Sequence, residues 1–263
     1  MFLPASSSFI SQGVAPDSVH HSRASGSSCM PTSWFFSDST PTHDFLGAWQ
    51  PLDSPNSYAF GPDGLSLFLD KPGGKIATEG NTNSRVAEGS TFNSTFTIRY
   101  GKVTYVLSGP DVAGVVTAAI LLADQRDEID VELVGGDPKH WQTNVFAPVS
   151  SADEPLYGTF GSVQSYPRDT KNVQATHSYT IDWSPKRIIW SVDGVEVRTL
   201  TQEDTKKDGL FHYPSHPSHL QFGIWDASSP TGTSEWARGP IDWNRAPSRM
   251  RAVFESVHVE CPY

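Results

Sequence analysis

Apolar and polar residues alternate with a period of two along most of this chain. Ser94–Tyr100, Lys102–Leu107, His177–Trp183, Arg187–Val192 and Val195–Leu200 each switch at every residue or nearly so. This pattern marks strands with one buried face. Val115–Leu122 is a continuous apolar run, long enough for a strand buried on both faces and too short to favour a helix. Pro62-Asp63-Gly64 divides Tyr58–Leu69 into two strands, and Asp193-Gly194 separates two alternating runs as a hairpin turn does. Further strands are expected at Gln142–Phe146, Tyr157–Gln164, Leu220–Trp225 and Ala252–Glu260, and a single short helix near Thr201–Asp208. Many strands separated by closely spaced turns predict an all-β antiparallel sandwich or barrel.

One run departs from a plain half-buried strand. Asp127-Glu128-Ile129-Asp130-Val131-Glu132-Leu133-Val134-Gly135-Gly136 places acids at 128, 130 and 132 between aliphatic residues. On a strand the three carboxylates share one face, where each disfavours ionisation of its neighbours. The competing reading is a solvated acidic face on an edge strand; a catalytic carboxylate cluster is the sharper one. The Cα atoms of Glu128 and Glu132 would lie roughly 13 Å apart at strand rise. Retaining glycosidases hold their carboxyl groups about 5–5.5 Å apart, so both side chains must lean over the centre of the strand, helped by sheet twist. One Glu would then attack an anomeric carbon and the other protonate the leaving oxygen, with the shorter Asp130 tuning the nucleophile. Alternating acids on a strand do not wrap a cation as a loop does, so no metal and no cofactor are expected here.

Composition narrows the partner. Among 263 residues the net charge is −10, with 8 Trp and 14 Phe, against nucleic acid or anionic membrane and in favour of a neutral polymer such as polysaccharide. The 20 Pro and 21 Gly fit many turns. Residues 1–28 are rich in Ser, His and Gly without periodicity and read as a flexible arm, leaving 29–263 as one catalytic domain. Met1–Ile10 shows no secretory signal pattern, and neither a transmembrane-length run nor a lipid-anchor tail is visible. The two cysteines, Cys29 and Cys261, would form one disulfide if the terminal strands lie side by side, which suits an extracellular protein. Asn93-Ser94-Thr95 is an acceptor sequon for N-glycosylation.

The sequence Glu128-Ile-Asp-Val-Glu132 resembles the signature of glycoside hydrolase family 16. Joined to Gly135-Gly136-Asp137 and Gln142-Thr-Asn-Val-Phe146, it is similar to the Crh-type fungal cell-wall transglycosylases. The likeness extends to Tyr100–Val103, Tyr179–Trp183, Val192–Gly194, Leu220–Trp225 and Glu235–Ala237, so it spans roughly residues 30–260. It departs from that type at Val131, where an aromatic residue is frequent, and in its small number of cysteines. The resemblance implies a concanavalin-like β-jelly-roll with a concave sugar cleft. It also implies Glu128 as nucleophile, Asp130 as assisting residue and Glu132 as acid/base. The implied reaction links chitin fragments to β-glucan in the cell wall, with some hydrolysis. The protein is expected to act as a monomer. A β-1,3(4)-glucan hydrolase, or a glycan-binding sandwich without turnover, are the alternatives.

Other residues divide between site and scaffold. Trp225 and Trp236 lie among Gly, Ser and Pro and are expected as aromatic walls for sugar rings. Gln142 and Asn144, two apart on the next strand, are expected to bind hydroxyl groups. Trp183 and Trp190 read as core. His212, His216 and His219 are separated by Pro214 and Pro217 and read as a solvent loop rather than a zinc site. Asp124–Asp127 is taken as turn chemistry, and Lys71–Lys75 as a glycine turn without phosphate-binding context.

Overall fold

In the computed structural model, residues 29–150, 153–167 and 172–263 are described; the flexible arm expected over 1–28 lies outside them. The strands run in chain order β1 (Thr32–Phe35), β2 (Trp49–Pro51), β3 (Tyr58–Gly61), β4 (Gly64–Asp70), β5 (Thr78–Glu79) and β6 (Thr82–Asn83). They continue as β7 (Ser90–Ile98), β8 (Gly101–Ser108), β9 (Val115–Ala123), β10 (Glu128–Val134), β11 (His140–Phe146) and β12 (Ser162–Ser165). The rest are β13 (His177–Trp183), β14 (Arg187–Val192), β15 (Val195–Thr201), β16 (Lys206–Lys207), β17 (Leu210–Phe211), β18 (Ser218–Asp226) and β19 (Arg249–Glu260).

Two antiparallel sheets form a sandwich. One has the order β15-β14-β13-β8-β19-β4-β3 with β1 also on β19; the other has the order β12-β11-β10-β9-β18-β7-β2. Both hairpins read from turn residues are present: β3 pairs β4 across Pro62-Asp63, and β14 pairs β15 across Asp193-Gly194. The second turn holds Asp193 and Gly194 at φ 50° and 76°, the left-handed pair a two-residue hairpin needs.

The core lies between the sheets. Trp49, Trp141, Trp183 and Trp190 are fully buried there with Tyr105, Tyr179, Phe92, Phe222 and Phe254, so the core assignment of Trp183 and Trp190 holds. Burying an aromatic side chain removes roughly 150–250 Å² from water, about 4–6 kcal/mol each at 25 cal/mol/Å². The chain ends meet as expected: β1 pairs β19 with Thr32 opposite Val259, and Cys29 and Cys261 are joined with their Cα atoms 5.7 Å apart.

The helices fall elsewhere than expected. Thr201–Asp208 gives only a 3-10 turn at Glu203–Thr205, while true helices form at α1 (Thr42–Ala48) and α2 (Thr231–Trp236). Asp204 accounts for the first difference, since its carboxylate accepts bonds from the Thr201 amide and hydroxyl and closes a tight turn. Helix α1 is held by tertiary contact: Phe45 is buried against Phe36, Phe60 and Phe92, with ring centroids 4.9–5.5 Å away. Of the strand expected over Tyr157–Gln164, only Ser162–Ser165 pairs, and Tyr157–Phe160 turns instead.

Candidate active site

Strand β10 is an interior strand, paired with β9 on one side and β11 on the other. Its acids therefore do not decorate an edge. Ile129, Val131 and Leu133 enter the core, and Glu128, Asp130 and Glu132 share the opposite, concave face. All three acids are buried, at 9%, 2% and 6% exposure. An acid trio this dry is incompatible with a solvated acidic face.

Burial sets the protonation. Asp130 is raised well above the usual carboxylate range, first by desolvation and then by the charges of Glu128 and Glu132, and it is hydrogen-bonded to Glu128. Glu132 is pushed up to about 8, by desolvation first and by Glu128 second. Glu132 can thus hold a proton at neutral pH, and Asp130 can donate one to Glu128.

The outer sheet fixes this strand from behind. The Trp190 indole N–H donates to the Asp130 carbonyl at 3.0 Å, and the Tyr105 hydroxyl donates to the carbonyl of Ile120, the cross-strand partner of Asp130, at 3.0 Å. Arg198 of β15 lies over the Trp190 ring at 4.7 Å. Its guanidinium donates to the Thr143 carbonyl and hydroxyl and to the Phe160 carbonyl. Burial pulls Arg198 down to about 10, and its charge in turn favours ionisation of Asp130. Sequence reasoning missed Arg198, which looks like any polar residue in an alternating strand.

Gln142 and Asn144 lie beside the acids, as expected, opposite Glu132 and Asp130 in the β10–β11 register. Trp225 and Trp236 come together from β18 and α2, stacked with centroids 6.1 Å apart and planes 15° apart, half-buried on Val116, Val134, Ala227 and Ala237. The Trp236 indole donates to the Gln142 amide oxygen at 2.9 Å, tying this wall to the site. Gly136 allows that approach, and Gly135 allows the close passage of the 110–112 segment. A Cβ at Gly136 would stand 2.7 Å from the Ala237 carbonyl oxygen, and one at Gly135 would stand 2.4 Å from that of Val112.

The turn expected over Asp124–Asp127 is present, closed by the Arg126 amide on the Ala123 carbonyl and the Ala123 amide on the Asp127 carbonyl, and the Asp127 side chain has a further role. It is 2% exposed, and one carboxylate oxygen accepts from the amides of Ser215 and His216 and contacts the His216 ring at 2.9 Å. It locks loop 213–217 to the start of the acid strand. The three histidines have separate partners: Asp127 for His216, the Ala147 carbonyl for His212 and the Ser94 carbonyl for His219. No cluster able to hold a metal ion occurs among the described residues. Asn93 lies within β7, paired with Gln50 of β2 and Gln221 of β18, rather than in the exposed loop a glycosylation acceptor calls for. No helix among the described residues is long and apolar enough to cross a membrane.

A jelly-roll sandwich with three dry carboxylates on its concave sheet, flanked by amides and stacked indoles, belongs to the class of jelly-roll glycoside hydrolases. The chain itself belongs to Glycosyl hydrolases family 16, whose profile matches residues 45–245. It is 34% identical over 231 residues to Crh-like protein 5 of Aspergillus fumigatus, covering 84% of this chain and 51% of the relative. It is 36% identical over 205 residues to Crh-like protein CRH11 of Candida albicans, covering 77% and 40%. The chain thus spans about half the length of such curated relatives or less. Among solved structures, a Crh5 transglycosylase in complex with NAG superposes with a TM-score of 0.72 at 28% identity, over 90% of this chain and 86% of that one. A Bacillus licheniformis β-glucanase superposes at 0.64 with 19% identity, over 88% and 97%, and shares the fold.

Proposed function

We propose that residues 29–263 form a single catalytic domain that acts, as a monomer, as a retaining transglycosylase of Crh type. It would act outside the cell, moving chitin fragments onto β-glucan of the fungal wall. The observation that carries this reading is the protonation split on one strand: Glu132 held protonated to about pH 8, and Asp130 neutral and bonded to Glu128.

The steps follow from that split. The Glu128 carboxylate attacks the anomeric carbon while Glu132 passes its proton to the departing glycosidic oxygen, leaving a glycosyl ester on Glu128. Asp130, bonded to Glu128, holds its carboxyl group in place and stabilises it as it regains charge in the second step. The ionised Glu132 then removes the proton of an incoming hydroxyl group, whose oxygen displaces Glu128 from the anomeric carbon. An acceptor sugar gives transfer and water gives hydrolysis. The stacked Trp225 and Trp236, with Gln142 and Asn144, offer the apolar faces and amides that hold a sugar against competing water. The relatives named for Crh proteins and the Crh5 transglycosylase fold support transfer over simple hydrolysis.

The test is incubation with a chitin oligosaccharide donor and a labelled laminari-oligosaccharide acceptor. Hybrid products are expected; reducing ends alone would make the protein a hydrolase, and binding without turnover would make it a lectin. Glu128→Gln should abolish both reactions with the fold intact, and near wild-type turnover would overturn the nucleophile assignment.

A further inference from the structure

Arg198 is a half-buried cation bonded only to neutral partners. Its guanidinium donates to the Thr143 carbonyl at 3.0 Å, the Thr143 hydroxyl at 2.7 Å and the Phe160 carbonyl at 2.5 Å, and lies over the Trp190 ring. Thr143 is fully buried on the core face of β11, between Trp141 and Val145, and lies opposite Val131 of the acid strand. The guanidinium therefore reaches between the sheets, on the core side of β11 and one strand from the acids. It occupies no part of the concave face.

The three bonds alone do not call for a charge, since a neutral donor could serve the same oxygens. A charge in such a place is costly, and burial pulls Arg198 down to about 10, which still leaves it ionised at neutral pH. The exposed Arg249 differs in being bonded directly to a carboxylate, that of Asp70. The charged group that acts on Arg198 is Asp130, and Arg198 is the cation that acts on Asp130. The other neighbours carry no charge: Trp190 from β14, Thr143 from β11, Gln164 of β12 on the Thr143 hydroxyl, and Phe160. Beyond Phe160 lies the titratable His212 ring, with centroids 6.1 Å apart. Facing Asp130 itself are Glu128 and Glu132.

We propose that Arg198 is the counter-charge of the acid trio: a positioning residue, set behind the catalytic sheet, that holds one negative charge among Glu128, Asp130 and Glu132 in every stage of the reaction. This rests on the assignment of the trio as a glycosyl-transferring site. In the resting enzyme Glu128 carries that charge while Asp130 and Glu132 hold protons. In the glycosyl ester Glu128 is neutral and Glu132 carries it. The charge changes ends while Asp130, the member on which Arg198 acts, stays between them. A fixed cation on the far side of the sheet favours both states over a fully protonated trio. The first ionisation belongs to the coupled trio rather than to one member, so removing the cation moves that ionisation to higher pH.

The test is the pH profile of kcat/KM on a neutral chitin or β-glucan oligosaccharide for wild type, Arg198→Met and Arg198→Lys, each below its melting temperature. Arg198→Met should move the low-pH limb up by about half to one unit, so that kcat/KM at the wild-type midpoint falls about two- to fivefold more than at the optimum. Arg198→Lys keeps the charge and loses the planar fork, so it should keep the wild-type limb despite its lower stability. Where Arg198→Met does not fold, the equally uncharged Arg198→Gln takes its place with the same expected shift. A limb unmoved by the uncharged variant, or moved equally by Arg198→Lys, would overturn the counter-charge and leave Arg198 a clip between β15 and β11. Wild type inert on every glycan would instead sink the catalytic reading. NMR titration of isotope-labelled Asp and Glu carboxyl groups then decides the question: a first ionisation of the trio raised in the uncharged variant and kept in Arg198→Lys supports the counter-charge, and equal titrations overturn it.

Discussion

The indole N–H of Trp236 donates to the amide oxygen of Gln142 at 2.9 Å, and Gln142 lies directly opposite Glu132 on the neighbouring strand. A residue of helix α2, 104 positions along the chain from Glu132, thereby fixes which end of the Gln142 amide faces the site. With its oxygen engaged, Gln142 presents its NH2 group, a donor, to whatever lies beside the acid.

Trp236→Phe keeps an aromatic surface on Trp225 and removes this bond. A neutral hydrogen bond contributes about 0.5–1.5 kcal/mol, which translates to a roughly three- to tenfold lower kcat/KM, with thermal stability changed by only a few degrees. A loss no larger than that in a variant such as Lys186→Ala, in the turn between β13 and β14 of the opposite sheet, would show that the Trp236–Gln142 bond does not orient the site.

Glu132 predicts a pH dependence with a definite sign. Its folded value of about 8 is raised above the ordinary 4.5, chiefly by burial. The folded chain therefore holds this proton where the unfolded chain releases it. The resulting stability is complete below pH about 4.5 and is lost as pH rises through about 8. Turnover should fall over the same upper range as the general acid ionises. Glu132→Gln should narrow the gap in melting temperature between pH 5 and pH 9. An equal gap in both proteins would contradict this assignment of the proton.

The Cys29–Cys261 bond spans a sequence separation of 232 residues. In the chain-entropy account, closing so long a loop stabilises by up to about 5 kcal/mol, and native bonds typically give about 2–4. A Cys29→Ser, Cys261→Ser double variant should lose about 2–4 kcal/mol in denaturant unfolding. The acid strand lies in the sheet that does not contain β1 or β19, so kcat at moderate temperature should be largely kept. Unchanged stability would mean that β1 pairing alone secures the N-terminal segment.

Arg198 joins β15 to β11 and to the 160 turn through three charge-assisted bonds. Arg198→Met removes these bonds while retaining much of the stem's apolar packing on Trp190. Hydrogen bonds to charged groups are individually worth about 1.5–3 kcal/mol, and replacement of the whole buried group by an apolar one offsets part of the loss. The expected net is about 2–3 kcal/mol of destabilisation, with less than half recovered in Arg198→Lys because an ammonium cannot reproduce the planar fork. A change below about 0.5 kcal/mol in chemical denaturation would reduce Arg198 to a surface-like contact.

Much of this architecture is local in origin and therefore legible along the chain. Alternation with period two assigns Glu128, Asp130 and Glu132 to one face and Ile129, Val131 and Leu133 to the other without reference to any neighbour, because the pleat is a property of the strand itself. Asp193-Gly194 encodes its hairpin because its two residues suit left-handed backbone, and the two cysteines mark termini that meet. What lies beside each strand is a different matter. Gln50, Asn93, Gln221 and Asp130 share a row only through pairings between segments far apart in sequence, and the β7–β18 register shifts between His219 and Gln221. Counting residues along one strand cannot supply that alignment. The depth of the acids has the same origin, since packing around an interior strand desolvates Glu132 and moves its proton. Sequence determined which atoms face the cleft; tertiary structure decided their neighbours and their charge, because lateral register and burial are set by contacts between distant segments.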